Sequence, residues 1–484
     1  MPLRRATASL VALSMILAGC GGGGGSGDDR TITLPTPTPT PTPTGSCTLA
    51  QRQAWALSVL QEWYLFPGDL NTSVSPSAHS TIDSYIDALV APARAASKDR
   101  FFTYVTSIQQ ENAFLASGSS AGFGFRLGYD TAARRTIIIE AFENAPALTA
   151  GIDRGDEILA IGTDASNLRL VSDIIAAEGT SGVTNALGPS TAGVTRVLRV
   201  SGPTGTRTVQ VAKADFNLLP VSTRYGTRIL NDGAKQIGYI NLRTFISSAN
   251  QPLRDAFLSF RNAGITEFII DVRYNGGGLV ATAELIGDLL GRNRTSSDVW
   301  SRTTYRPEKA SNNDTHFFQP TANSVAPVKI AFIGTGSSAS ASEMIMNSAI
   351  PYLGANVALI GTNTFGKPVG QVAIDRSVCD DRMRVVAFAT GNATGQSDYY
   401  TGMASKMPRT CRAADDFFTP LGNANEASIR TAIDFLAGRP CNAISAVRDS
   451  AIASAEPGAF MTGRTELLQP DAPTAPQREV PGLF

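Results

Sequence analysis

The sequence predicts a multidomain α/β protein with a helical N-terminal region, a small β domain, and an α/β core on a mostly parallel sheet. Three features predict it: an apolar stripe at helical spacing after residue 47, Gly-punctuated β-rich runs across 119–215, and alternating strand-like and helix-like runs from 216 onward. A chain of 484 residues has the length for two or three such units.

The chain opens with MPLRRATASLVALSMILAGC, in which Arg4 and Arg5 precede an apolar run too short to span a bilayer and then small residues up to Cys20. That pattern is an export signal, residues 1–19. Residues 20–46 form a linker: a Gly-rich stretch from Gly21 to Gly27, then alternating Pro and Thr from Pro35 to Thr44, which favours an extended spacer of roughly 30 Å. Setting Cys20 aside, Cys47, Cys379, Cys411 and Cys441 remain, an even number suited to two disulfides in an oxidising compartment. Three connectivities are open; the working expectation joins Cys379 to Cys411 and Cys47 to Cys441, tying the start of the folded part to its end.

Residues 47–118 are helical in pattern, because LAQRQAWALSVLQEWYLF sets Trp55, Val59, Trp63 and Phe66 three or four apart. In the β domain, VLRVSGPTGTRTVQVAK reads as a hairpin turned by Pro203 to Gly205. In the core, residues 216–445, the strand-like runs are QIGYINLRTF, TEFIIDVRY, VKIAFIG and ANVALIG, with helix-like runs between them. Functional loops of such sheets lie at the carboxyl ends of strands, where both the Gly276 turn and the Ser340 loop fall. The cysteine-bounded stretch 411–441 reads as a loop and a helix, and residues 446–484 as a tail.

Composition excludes several classes. With 41 basic and 41 acidic side chains there is no net field to gather phosphates, so no nucleic-acid partner is expected. The two histidines, His79 and His316, stand in no HExxH or CxxC setting, so no metal, cofactor or His-based triad is expected either. The Gly276–Gly278 turn lacks the spacing of a dinucleotide loop. GSSAG at 118–122 fits a nucleophile-elbow string but leads into a strand-like run rather than a helix, and no lysine has a serine three positions before it.

What remains is GSSASASEMIMNSA, residues 336–349. Ser340 and Glu343 have the spacing of a capping box. A serine at a helix N-terminus is also well placed for catalysis, because the unpaired amides there can hold an oxyanion. Lys367 lies in TNTFGKPVGQ among apolar and Gly neighbours, without a solvated-face explanation. A lysine amine is almost wholly protonated at neutral pH, so serving as a base requires burial that disfavours the cation by roughly 4 kcal/mol.

Two resemblances follow. Gly122, Phe123, Gly124 and Phe125, with AGIDRGDEILAIGT downstream, resemble a PDZ domain, whose glycine loop would bind a peptide terminus while the peptide adds a strand to the sheet edge. DVRYNGGGL, GSSASASEM and TFGKPVGQ, which follow the PDZ-like segment in that order, resemble the carboxyl-terminal processing (tail-specific) proteases. The resemblance covers roughly residues 120 to 375 and implies a Ser-Lys serine endopeptidase forming an acyl-enzyme. Ser340 would be the nucleophile, Lys367 the base and Gln371 the residue orienting it, with amides of Ala341, Gly276 and Gly277 as the oxyanion hole. The Ser-to-Lys interval is about two residues longer than the family's usual one, and Pro368 stands where Gly is usual.

Leu17-Ala18-Gly19-Cys20 resembles a bacterial lipobox, implying lipidation of Cys20 and a membrane anchor; Gly21 rather than Asp after it implies an outer-membrane lipoprotein on the periplasmic side. Expected partners are polypeptides with exposed C-terminal tails. A catalytically silent PDZ lipoprotein that binds tails is the rival reading, and a serine esterase of similar build a third.

Overall fold

The computed structural model describes residues 47–130, 132–445, 466–470 and 473–484. The export signal, Cys20 and the linker lie outside the described residues. The core is a six-stranded sheet in the order Thr227–Asp232, Lys235–Asn241, Glu267–Asp271, Lys329–Gly334, Val357–Gly361, Arg409–Arg412. The first pair is antiparallel and every later pair parallel.

Burial on both faces explains the near-continuous apolar runs of these strands. Alternate residues divide between two cores, as the two-residue period requires. Phe268, Ile270, Phe332 and Leu359 face the helices Asn250–Asn262, Val280–Leu290 and Ala341–Leu353. Ile269, Ile333 and Ile360 face the helix Ala427–Leu436.

A second sheet, absent from the sequence-based expectation, joins Tyr104–Ser107, Asp381–Gly391, Val299–Tyr305 and Asp314–Phe317, with Val369–Arg376 paired to the long 381–391 strand. The N-terminal helices Leu49–Trp63 and Ile82–Leu89 are packed onto it. Ala56, Val59, Leu60 and Ile86 share one buried cluster with Val369, Met383 and Val385. The stripe read from sequence therefore has its counter-surface more than 300 residues away. Trp55 and Trp63 lie only at its partly buried margin.

In the β domain the strands Phe125–Asp130, Arg135–Ala141, Glu157–Gly162, Thr195–Gly202 and Gly205–Ala212 are neighbours in that order and antiparallel. The helix Val171–Leu187 covers one face, and Gly202 pairs with Gly205, so the hairpin turn is Pro203-Thr204. Part of the segment read as a tail docks on this domain. Glu466–Leu467 pairs with Gly128 and Tyr129, and Leu483 bridges Arg126, so parts of 466–484 complete the outer edge of this sheet. Leu468, Leu483 and Phe484 are buried, which gives the segment an apolar reason to dock.

The disulfide pairing is also corrected: Cys47 joins Cys379 and Cys411 joins Cys441, with Cα atoms 5.5 and 5.4 Å apart. The first helix lies on the 369–391 hairpin, whose turn carries Cys379. Cys411, on the sheet-edge strand, meets Cys441 where the chain returns from the 427–436 helix. Among the described residues no helix is long and apolar enough to cross a membrane, and no group of three or more His, Cys, Asp and Glu is placed to hold a metal.

Candidate active site

The strand Lys329–Gly334 ends at the serine loop, which opens the helix Ala341–Leu353. Ser338 is fully buried and donates to the Val272 carbonyl at 2.8 Å, and Ser342 is fully buried and donates to the Asn275 carbonyl at 3.0 Å. Both are structural. Ser340 is partly exposed, and its hydroxyl donates to no carbonyl among the described residues. Its backbone has φ 55° and ψ −115°, a conformation that costs a non-glycine residue about 1–3 kcal/mol and that collects at functional turns.

The neighbouring strand Glu267–Asp271 runs in parallel and ends at the Tyr274–Gly278 turn. A Cβ on Gly277, at φ 117°, would stand 2.8 Å from the Cβ of Ser340, so only glycine lets the turn approach the serine this closely. Asn275 fixes the turn: its Oδ1 accepts from the Gly277 amide at 2.9 Å, its Nδ2 donates to the Leu242 carbonyl, and its own carbonyl accepts from Ala339 and Ser342. The Gly277 amide is thus already used, which corrects its expected oxyanion role. The amides of Gly276 and Ala341 have no hydrogen-bond partner among the described residues.

Lys367 follows the next parallel strand, Val357–Gly361. Its amine donates to Gln371 Oε1 at 2.9 Å and lies 4.9 Å from the centroid of the Phe102 ring. Loss of hydration pushes the amine below the usual lysine range, more than the charges of Glu479 and Asp99 push it up. Gln371 in turn donates to the Phe102 carbonyl, and Pro368 is held through its carbonyl by Thr390.

One side chain links the two loops. Glu343, fully buried, accepts from the amides of Ser340 at 3.1 Å and Lys367 at 2.7 Å on the same oxygen, Oε2. Its other oxygen accepts from the Gly366 amide at 2.6 Å and the Thr364 hydroxyl at 2.5 Å. Burial lifts this carboxyl above its usual range against the pull of those donors. The spacing Ser340–Glu343 announced a cap; that the cap also carries the lysine loop is a tertiary fact.

Residues 99–102 close the lysine side and were missed by sequence reasoning. Arg100 stacks on Phe365, its guanidinium 4.2 Å from the ring centroid, and donates to the carbonyls of Phe365 and Gly366. Asp99 anchors this wall by accepting from Phe102, Thr103 and Tyr64. Nothing local marks an N-terminal segment as the partner of a loop near residue 366.

In the glycine loop of the β domain, Phe123 and Phe125 point into the core with rings stacked at 5.4 Å, leaving backbone toward the edge. The amides of Gly124 and Phe125 donate to the carbonyl of Phe484 at 2.8 and 3.2 Å, and Phe484 N donates back to Phe125 at 2.9 Å. A Cβ on Gly122 would stand 2.8 Å from the Phe484 carbonyl carbon. The string at 118–122 is a helix cap and a strand, with Gly118 ending the helix Ile108–Ser117 at φ 75°.

Residues 236–395 match the family model described as Peptidase family S41. Among curated relatives, the chain is 28% identical over 281 residues to a C-terminal processing peptidase, chloroplastic, of Tetradesmus obliquus, covering 54% of each chain. It is 24% identical over 294 residues to the carboxy-terminal processing protease CtpA of Bacillus subtilis, covering 60% of this chain and 57% of that one. The chain thus spans about half the length of the curated relatives it matches. A crystal structure from Bacteroides fragilis assigned to the S41 proteases has the same fold, with TM-score 0.60 and 22% identity, covering 79% of this chain and 97% of that one.

Proposed function

From this kinship with carboxyl-terminal processing peptidases, we propose that the chain is a serine endopeptidase that cleaves polypeptides at or near unstructured C-terminal tails. The single observation behind it is Glu343 holding the amides of Ser340 and Lys367 on one carboxylate oxygen. Lys367, neutral when it acts, takes the proton of the Ser340 hydroxyl; Oγ attacks the scissile carbonyl; and the amides of Gly276 and Ala341 receive the oxyanion. The lysine then gives its proton to the leaving amine, the acyl-enzyme remains on Ser340, and water, deprotonated by the same amine, releases the product. Gln371 Oε1 aims the amine and Phe102 keeps water from it, while Arg100 ties that wall to the lysine loop through the carbonyls of Phe365 and Gly366. The glycine loop 122–125 receives the tail of the substrate.

The chain is further proposed to be an exported, lipid-anchored protein of the cell envelope, through Cys20; mass spectrometry of the mature N-terminus tests this, and an unmodified cysteine would overturn it. For the chemistry, a fluorophosphonate should label Ser340, and Ser340→Ala should abolish both labelling and cleavage of an unfolded-tail substrate while the fold persists. No labelling alongside intact peptide binding would mark a silent tail-binding protein instead.

A further inference from the structure

The peptide edge of the β domain is occupied by the chain itself. Phe484 sits at the glycine loop as described; Leu127 donates to Gly482 at 2.9 Å, and Leu468 donates to Leu127 at the same distance. This is strand addition along the edge where a bound peptide would lie. The Phe484 side chain is buried in the domain core, 3% exposed.

The same segment reaches the catalytic turn. A side chain on Gly276 would find the Glu479 carbonyl at 3.1 Å, the Pro481 ring at 3.2 Å and the Arg478 carbonyl at 3.3 Å. Glu479 acts electrostatically on Lys367, as Lys367 does on Glu479. Arg126 Nη1 donates to the carbonyls of Pro481, at 2.8 Å, and Tyr274, at 2.6 Å, binding the segment to the turn. Residues 478–484 therefore run without a break from the serine side of the cleft to the glycine loop. Beside the segment, a cavity of about 540 Å³ lined by Thr184, Ser190, Thr474 and Phe484 leaves it unwalled on one side.

We propose that residues 466–470 and 473–484 are an intramolecular competitor for the peptide site, occupying the groove of the β domain and covering the catalytic turn until an extended apolar polypeptide segment displaces them. Only the consequence for catalysis rests on the peptidase reading; the occupancy stands apart from it. The ligand class follows from the occupant: an extended stretch of the Pro-Gly-Leu-Phe kind, apolar at its last two positions.

The test uses the full chain with Ser340→Ala, the same chain with Phe484→Asp added, and one with residues 466–484 deleted, the last two checked for folding by circular dichroism. A fluorescein-labelled peptide of residues 474–484 reports binding by anisotropy. At least tenfold tighter binding by the released variants than by the parent supports the proposal, and equal affinity, or none in folded released variants, overturns it. Hydrogen exchange in the parent needs no variant: slow exchange at the Leu127 and Phe484 amides is expected, and unprotected exchange overturns the occupancy. With Ser340 restored, release should raise fluorophosphonate labelling at least tenfold and added peptide should suppress it again. Labelling equal in all states would overturn the covering of the turn. Altered binding without labelling in any state would support occupancy and overturn the peptidase reading.

Discussion

Lys367 must be an ammonium that the fold disfavours if it is to serve as a base. Its pKa lies below the ordinary lysine value, so the neutral fraction, and with it kcat/KM on a tail peptide, should climb as pH rises through that lowered value and level off before an ordinary lysine would titrate. A pH–rate profile still rising at the normal lysine pKa would contradict this. The stability sign follows: the cation is penalised at every pH below the folded-state pKa, and the penalty fades as pH rises toward the unfolded-state value. Lys367→Met should therefore melt no lower than the parent at neutral pH, with its advantage shrinking in alkali, while losing at least about a hundredfold in activity. Glu343 behaves oppositely. Glu343→Ala strands the amides of Ser340, Gly366 and Lys367 and the Thr364 hydroxyl in a buried site, each costing about 1–3 kcal/mol. Urea denaturation should show a loss of at least about 3 kcal/mol, against about 1 kcal/mol or less for the partly exposed Ser340→Ala.

Two strand ends bring the serine loop and the glycine turn together, and Gly277 sets how close they come. In Gly277→Ala the new methyl meets Ser340 Cβ at 2.8 Å and the Ala339 carbonyl at 3.1 Å, from a backbone at φ 117° that alanine resists. A shift of a few tenths of an ångström at the nucleophile should cost at least about tenfold in turnover with substrate binding little changed, measured as kcat against KM. An unaltered kcat would remove the turn from the catalytic centre. At this scale the sequence was most legible. Strand-to-helix alternation located both loops, because the apolar period of each element is local and its burial on both faces leaves no ambiguity. The antiparallel strands 299–305 and 381–391 escaped because polar residues break the apolar period of VWSRTTY and DRMRVVAFATG, although the second strand is buried along most of its length. The oxyanion assignment of Gly277 failed because the sequence does not tell where the Asn275 side chain turns back. The lysine wall at 99–102 and the docked residues 466–470 and 473–484 were illegible for one physical reason: their partners are set by tertiary packing, and nothing in a loop names its distant neighbour.

Across the whole molecule the two disulfides do different work. Cys47–Cys379 bolts the first helix to the hairpin that carries Gln371 and so secures the layer that holds Phe102 against Lys367. Cys411–Cys441 closes a separation of only 30 residues at the edge of the central sheet, where the helix Ala427–Leu436 is already packed against it. Chain entropy makes the long crosslink the stronger, each contributing about 2–5 kcal/mol. Removing Cys47 and Cys379 together, as alanines, should therefore lower the melting temperature more than removing the other pair. It should also loosen the lysine wall, so that the ascending limb of the pH–rate profile moves toward the ordinary lysine value as water reaches the amine. Removing Cys411 and Cys441 should lower stability and leave that limb in place. A non-reducing peptide map showing 379–411 and 47–441 would overturn the pairing. Equal shifts of the limb in both double variants would sever the first helix from any part in keeping the amine dry.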